Sequence, residues 1–306
     1  MQAARRLAFS RLAGWAEDNH AAALAAYEVT ADLLGPDWPR PEGDDARASF
    51  ERHFCPVLTG SPPALLTGYY EPEVAGADAP RGAFRHPLYA LPDDLPSDRP
   101  WHSRAEIEAG NLLAGCELVW LDSAVEAFFA QVQGSVRVRL ADGRVGRFGF
   151  AGRNGHDYRS IGAELIRRGE IDEAEMSAGA IRDWCERHPE AAPELLRLNP
   201  SFVFFRALDL PEGSGPLGCM GRPVTEGRSI AVDPEHIPLG APVWVEARGA
   251  DRLMIAQDKG SAIKGAQRGD IFCGSGFDAG ERAGKMRISG RLVTFLPLAL
   301  AEGIPP

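Results

Sequence analysis

Two carboxylates, Asp258 and Asp270, stand twelve positions apart in a glycine-rich stretch that runs from Gln257 to Phe272. Each adjoins apolar residues: Leu253, Met254, Ile255 and Ala256 precede Asp258, and Ile271 and Phe272 follow Asp270. A carboxyl at the edge of a buried strand is partly desolvated. Desolvation raises its pKa toward the range in which it donates a proton near neutral pH. The segment is therefore a candidate for acid catalysis, against the plainer reading of two solvated loop carboxylates. It also holds Lys259 and Lys264; Lys285 is the only other lysine, and the remaining basic residues are arginines. A compact ammonium in so arginine-dominated a chain is a candidate for a placed cation.

Four further segments combine polar side chains with turn residues. Thr67-Gly68-Tyr69-Tyr70 offers a hydroxyl, two phenols and a backbone that a ligand can approach closely. Gln131-Val132-Gln133-Gly134-Ser135 places amides at a helix end, where Gly134 also reads as a simple C-cap. Gly152 to Tyr158 is a polar loop that also suits an exposed turn. Gly227 to Pro234 ends a strand at Asp233, which also reads as a turn-former before proline. Amides, hydroxyls and aromatic faces suit a sugar better than a phosphate. No G-x-x-x-x-G-K-[ST] or G-x-G-x-x-G opens a helix, so no nucleotide cofactor is expected. No G-x-S-x-G is present, so nothing local supports a nucleophilic hydrolase. The histidines and the five cysteines show no ligand spacing, so neither a metal site nor a disulfide framework is expected.

A chain of 306 residues suggests about two domains. Its net charge of −10 argues against nucleic-acid binding and against adhesion to anionic lipid. Met1 to Ser10 carries Arg5 and Arg6 but no long apolar run, so neither a signal peptide nor a membrane span is expected.

These candidates need a scaffold. Asp18-Asn19 reads as the N-cap of an alanine-rich helix, and residues 36–48 as a loop. Leu65 to Tyr70 reads as a short strand and residues 73–103 as loop. Ser123-Ala124-Val125-Glu126 is a capping box opening a helix that stops near Gly134. Val136, Val138 and Leu140 alternate with arginines before an Asp142-Gly143 turn, predicting a hairpin. Helices are predicted from Ser160 to about Gly169 and from Ser177 to just before Pro189. From about residue 201 short apolar runs, beginning with Val203-Phe204-Phe205, alternate with Gly, Pro and Asp, which suggests a small barrel. The strand near 65–70 is placed to pair with it, making the middle of the chain an insertion.

Six motifs then occur in one order: Leu66-Thr67-Gly68-Tyr69-Tyr70-Glu71-Pro72, Val132-Gln133-Gly134-Ser135, Asn154-Gly155-His156-Asp157-Tyr158, Asn199 to Phe205, Gly227 to Asp233, and Ala256-Gln257-Asp258 through Asp270-Ile271-Phe272. In that order they resemble the membrane-bound lytic murein transglycosylase A family, over about residues 65–297. The resemblance implies a mainly β fold with some α. A double-psi β-barrel domain is expected from residues 1–72 and 201–306, with a smaller β-rich domain inserted over 73–200 and a glycan groove between them. It implies cleavage of the β-1,4 bond between N-acetylmuramic acid and N-acetylglucosamine, with a 1,6-anhydro product, by a monomer without metal or cofactor.

By the same resemblance Asp270 is the sole acid/base and Asp258 a supporting carboxylate. Thr67, Gly68, Tyr70, Gln133, Gly134, Tyr158 and Ser229 are the expected sugar contacts. Lys264 is expected to meet a substrate carboxylate or pair with Asp258. The substrate implies a periplasmic or outer-membrane setting, although the family's lipid-anchored start is not evident here. A rival reading is a non-catalytic peptidoglycan-binding module. Another is an ordinary hydrolase of the same glycan. Where the family has Thr and Gly this chain has Lys259 and Ser261, where it has Gly this chain has Val136, and where it has Trp this chain has Cys273. Lys259 and Val136 are expected to reshape a subsite.

Overall fold

The structure, a computed structural model, describes residues 4–40, 45–247 and 251–306. In chain order its strands are β1 (Arg5–Arg6), β2 (Phe54–Leu58), β3 (Ala64–Glu71), β4 (Glu73–Ala77), β5 (His86–Tyr89), β6 (Glu117–Leu121), β7 (Ser135–Leu140), β8 (Val145–Arg153), β9 (Val203–Ala207), β10 (Ser229–Val232), β11 (Pro242–Ala247), β12 (Arg252–Asp258), β13 (Arg268–Ser275) and β14 (Arg287–Pro297). The chain divides into two compact units. One comprises Met1–Tyr70, Gly213–Gly274 and Glu281–Pro306; the other comprises Glu71–Glu212 and Ser275–Gly280. No helix among the described residues is long and apolar enough to cross a membrane.

In the first unit, β14, β11, β12, β10, β13 and β3 pair in that order, and β3 pairs back onto β14. The six strands therefore close into a barrel, which leaves no open edge in the ring. The pair β10–β12 is parallel, while β10–β13, β11–β12 and β11–β14 are antiparallel. Strand alternation sorts the side chains. Leu66, Ile230, Val232, Val243, Val245, Met254, Ala256, Ile271 and Leu292 fill the interior. Trp244, Leu253, Ile255, Val293 and Phe295 face outward into a second core. That outer core is completed by the helix His20–Ala31, which buries Ala23, Ala26, Tyr27, Thr30 and Ala31 along one side at helical spacing. Asn19 caps this helix by accepting the Ala22 amide at 3.1 Å, as the sequence predicts.

In the second unit the strands pair in the order β5-β6-β4-β7-β8-β9, and a single bridge between Ala90 and Phe205 joins the two ends. The hairpin β7–β8 forms as predicted, with Gly143 in the left-handed region at φ 88°. Helices Ala124–Gln133, Ile161–Arg167 and Ala178–Arg187 also lie where expected. Buried Arg104 stacks between the rings of Phe128 and Phe202 and donates to Gln131 and to the carbonyl of Ser201.

Several expectations need correction. The stretch 73–103 is not all loop, since β4 and β5 lie in it and join the second sheet. Val203–Ala207 pairs with β8 and so belongs to that sheet, not to the barrel. Its apolar run suits either sheet, and only the pairing separates them. Ser123 caps its helix, but the Glu126 carboxylate binds Arg182 in place of completing a capping box. A helix begins at Ala46, inside the expected 36–48 loop; residues 41–44 of that loop, and Met1–Ala3 of the N-terminal stretch, lie outside the described residues.

The N-terminal segment is fastened to the barrel by charge. Asp18 receives Arg228 Nη1 and Nη2 at 2.9 Å each, and the amide of Leu253 at 2.8 Å. Burial pushes the Asp18 carboxyl up, but Arg228 and the Leu253 amide outweigh it and hold it below its ordinary value. Its contribution to stability is present above the ordinary carboxylate pKa and is lost as pH falls through the lowered one. Asp18→Asn strands a half-buried guanidinium and is expected to cost about 3 kcal/mol at neutral pH. Urea unfolding should show that loss at pH 7 and a smaller difference from the parent chain near pH 3.

Candidate active site

The site is built in the first unit around Ala231 on β10. Ala231 is paired with Asp270 of β13 on one side and with Asp258 of β12 on the other. The second pairing is irregular. Ile230 lies opposite Ala256, but Ala231 lies opposite Asp258, so Gln257 is an extra residue in β12. Without it, alternation after the inward-facing Met254 and Ala256 would send Asp258 into the barrel interior. The bulge turns Asp258 instead to the outer side, where Ala231 and Asp270 lie.

The bulge is held by a chain of hydrogen bonds. The Thr225 amide donates to Ser229 Oγ at 2.7 Å, and Ser229 Oγ donates to Gln257 Oε1 at 2.5 Å. Gln257 Nε2 then donates to the Ala26 carbonyl at 2.7 Å and to Thr30 Oγ1 at 3.1 Å. Both amide ends of Gln257 are thus satisfied inside the protein, which fixes which way the side chain faces.

Asp258 accepts three donors. The amides of Cys219 and Lys259 reach Oδ1 at 3.0 and 2.9 Å, and the Tyr69 hydroxyl reaches Oδ2 at 3.1 Å. Asp270 accepts one: Thr67 Oγ1 donates to its Oδ1. Thr67 Oγ1 itself accepts from Arg268 Nη2 at 2.8 Å. A guanidinium only donates, so the single Thr67 proton is directed at Asp270. Among the described residues Asp270 Oδ2 has no partner. Burial raises the Asp270 carboxyl above its ordinary value, opposed by Thr67 and by the charge of Arg268. Burial also raises Asp258, opposed by the Lys259 and Cys219 amides and by Tyr69, while the neighbouring Asp270 pushes it further up. Repulsion between two carboxylates is mutual, so the donors decide where charge settles. Three donors favour charge on Asp258; on Asp270 the Thr67 hydroxyl and the charge of Arg268 do so.

The structure places the predicted residues unevenly. Asp258, Asp270 and Thr67 come together here, and Tyr70 follows on the same strand, half-buried. Ser229 does not face a ligand: its exposure is 0 %, and its hydroxyl is committed to Gln257 and Thr225. Lys264 does not pair with Asp258; its Nζ lies 3.7 Å from Asp233 Oδ1. Gly68 is a packing glycine, because a Cβ there would stand 2.8 Å from Cys273 Sγ and 2.9 Å from the Ala283 backbone. Gln133, Gly134 and Tyr158 belong to the second unit. There Gly134 is the left-handed C-cap of its helix at φ 76°, Gln133 is half-buried and Tyr158 is exposed. Val136 is buried among the sheet residues of that unit, so its side chain reshapes no exposed subsite. Sequence reasoning named Tyr69 only as part of its segment, without a role beside Asp258, and missed Arg268 and the Cys219 amide. Thr67 and Tyr69 are two apart on one strand and share a face, a signal that was legible; the other two come from pairing and loop closure.

Comparison with known proteins gives the chain's relatives. The family model described as MltA specific insert domain matches residues 65–206, and that described as 3D domain matches 228–296. The membrane-bound lytic murein transglycosylase A of Escherichia coli K12 is 41% identical over 241 residues, covering 74% of this chain and 64% of that protein. This chain thus spans less than two thirds of that relative's length. A membrane-bound lytic murein transglycosylase from Agrobacterium tumefaciens has a similar structure, with a TM-score of 0.88, 30% identity, and 98% and 99% of the two chains covered. E. coli MltA with bound chitohexaose aligns with a TM-score of 0.73 and 34% identity over 95% of this chain and 86% of that one.

Gly68→Ala tests the packing reading. The added methyl meets a backbone that cannot yield cheaply, and the variant is expected to lose about 1–3 kcal/mol of stability. A thermal or urea midpoint unchanged from the parent would return Gly68 to the role of ligand approach.

Proposed function

The chain belongs to the membrane-bound lytic murein transglycosylase A family, and we propose that it cleaves peptidoglycan glycan strands with Asp270 as the single acid/base. The bond cut is the β-1,4 link between N-acetylmuramic acid and N-acetylglucosamine. The observation that carries this reading is the Asp270 carboxyl: half-buried, raised in pKa, anchored through Oδ1 by Thr67, and with Oδ2 unpartnered among the described residues.

A glycosidase commonly needs two carboxylates, one to protonate the leaving oxygen and one to activate water or attack the sugar. Here the nucleophile is the C6 hydroxyl of the muramic acid itself. Asp270 gives its proton to the glycosidic oxygen as the C1–O bond breaks. The C6 oxygen closes on C1, and its proton passes to the Asp270 carboxylate. The acid is regenerated, no water is consumed, and the product carries a 1,6-anhydro ring. Asp258 keeps the charge that its three donors favour and orders the neighbouring loop through Cys219 and Lys259. The relatives are named membrane-bound murein enzymes, which supports a periplasmic place of action on peptidoglycan.

Asp270→Asn is expected to lower release of anhydromuropeptides from purified murein by roughly 10²–10⁴-fold while preserving the fold. Mass spectrometry separates the outcomes. Products heavier by one water would make the protein a hydrolase, and undiminished anhydro products from the variant would remove Asp270 from the role. Thr67→Val tests the anchoring. The Thr67 donor favours ionised Asp270, so its loss raises the pKa of the acid. The alkaline limb of the rate profile, where activity falls as the acid ionises, is then expected to move to higher pH.

A further inference from the structure

The lysines of this chain are not used alike. Lys285 Nζ lies 2.9 Å from Glu281 Oε2, and Lys264 Nζ lies 3.7 Å from Asp233 Oδ1. Lys259 is exposed, and among the described residues its ammonium faces no carboxylate. Its backbone is nonetheless fixed, because its amide donates to Asp258 Oδ1 at 2.9 Å. Asp258 is in turn held by Tyr69 and by the Cys219 amide. The result is a cation whose root is tied to the carboxylate site and whose head is left to solvent, in a chain of net charge −10 that has ample carboxylates to pair it.

We propose that Lys259 is a specificity-determining residue that binds a carboxylate on the substrate strand. The proposal rests on the glycan-cleaving reading. Muramic acid bears a lactyl group continued by a peptide, and both the free lactyl acid and the peptide supply carboxylates at intervals along the strand. An oligomer of N-acetylglucosamine supplies none. Lys259 directly follows Asp258, in the segment that leads from β12 toward β13. A point charge on a long flexible stem suits a carboxylate whose position varies with the peptide, where the rigid fork of an arginine does not. Contacts of this exposed kind are modest and salt-dependent, and they act on binding more than on the chemical step.

The test compares the full chain with Lys259→Gln and Lys259→Arg on purified peptide-bearing murein, alongside binding of chitohexaose. The expected result is a two- to five-fold rise in KM for murein in K259Q with kcat unchanged. Added salt should raise the KM of the parent chain and leave that of K259Q nearly constant. K259R, which keeps the charge on a more rigid head, should recover part of the difference, and all three proteins should bind chitohexaose alike. An unchanged murein KM in K259Q, or an equal loss of chitohexaose binding, overturns the carboxylate contact. If the parent chain releases no product from murein, the cleavage reading fails by itself. Co-sedimentation of the parent and K259Q with murein, at low and high salt, then still decides the role of Lys259.

Discussion

The arrangement of the candidate site depends on one extra residue in a strand. β12 alternates Leu253 and Ile255 outward with Met254 and Ala256 inward until Gln257 breaks the pairing with β10. The break is held in place by the amide of Gln257, whose two ends are bound to Ser229 and to the helix His20–Ala31. An unpaired buried amide would be costly, so the network and the bulge stabilise one another. Through it the N-terminal helix, which carries no candidate chemistry of its own, helps to aim Asp258.

Two carboxylates flanking Ala231 would be equivalent if their donors were equivalent. They differ because Asp258 lies at the end of its strand, where loop amides from Cys219 and Lys259 are available, whereas Asp270 lies within a strand whose amides serve the ladder. Position along a strand is thereby converted into a difference in hydrogen-bond donors. Thr67 adds direction. With Arg268 on one side donating only, its hydroxyl cannot reverse and must serve Asp270.

Barrel closure gives this arrangement its stiffness. β3, which carries Thr67 and Tyr69, is paired on both sides, to β13 and to β14. Side chains standing on such strands lose little further freedom when they engage a ligand. The packing of Gly68 against Cys273 and Ala283 keeps β3 close to the helix that follows β13.

The sequence by itself determined most of the local elements and where the candidate carboxylates lie. Caps such as Asn19 and Ser123, the Asp142-Gly143 turn and the period-2 strands announce themselves because they depend on neighbours a few residues away. The acidic motif was legible for the same reason: the carboxylates, the glycines and the flanking apolar runs are all contiguous. Motif order carried the family resemblance, and with it the closed barrel. What only the tertiary structure decided is which polar residues look inward. Ser229 and Lys264 both read as ligand contacts, yet Ser229 is spent on Gln257 and Lys264 stands by Asp233. The strand Val203–Ala207 reads equally well in either sheet, and only its ladder with β8 assigns it. Hydrogen-bond partners more than 200 residues apart, such as Thr67 and Asp270, leave no local trace in the chain. A bulge is visible only as a register between two strands, and register is a property of the folded pair.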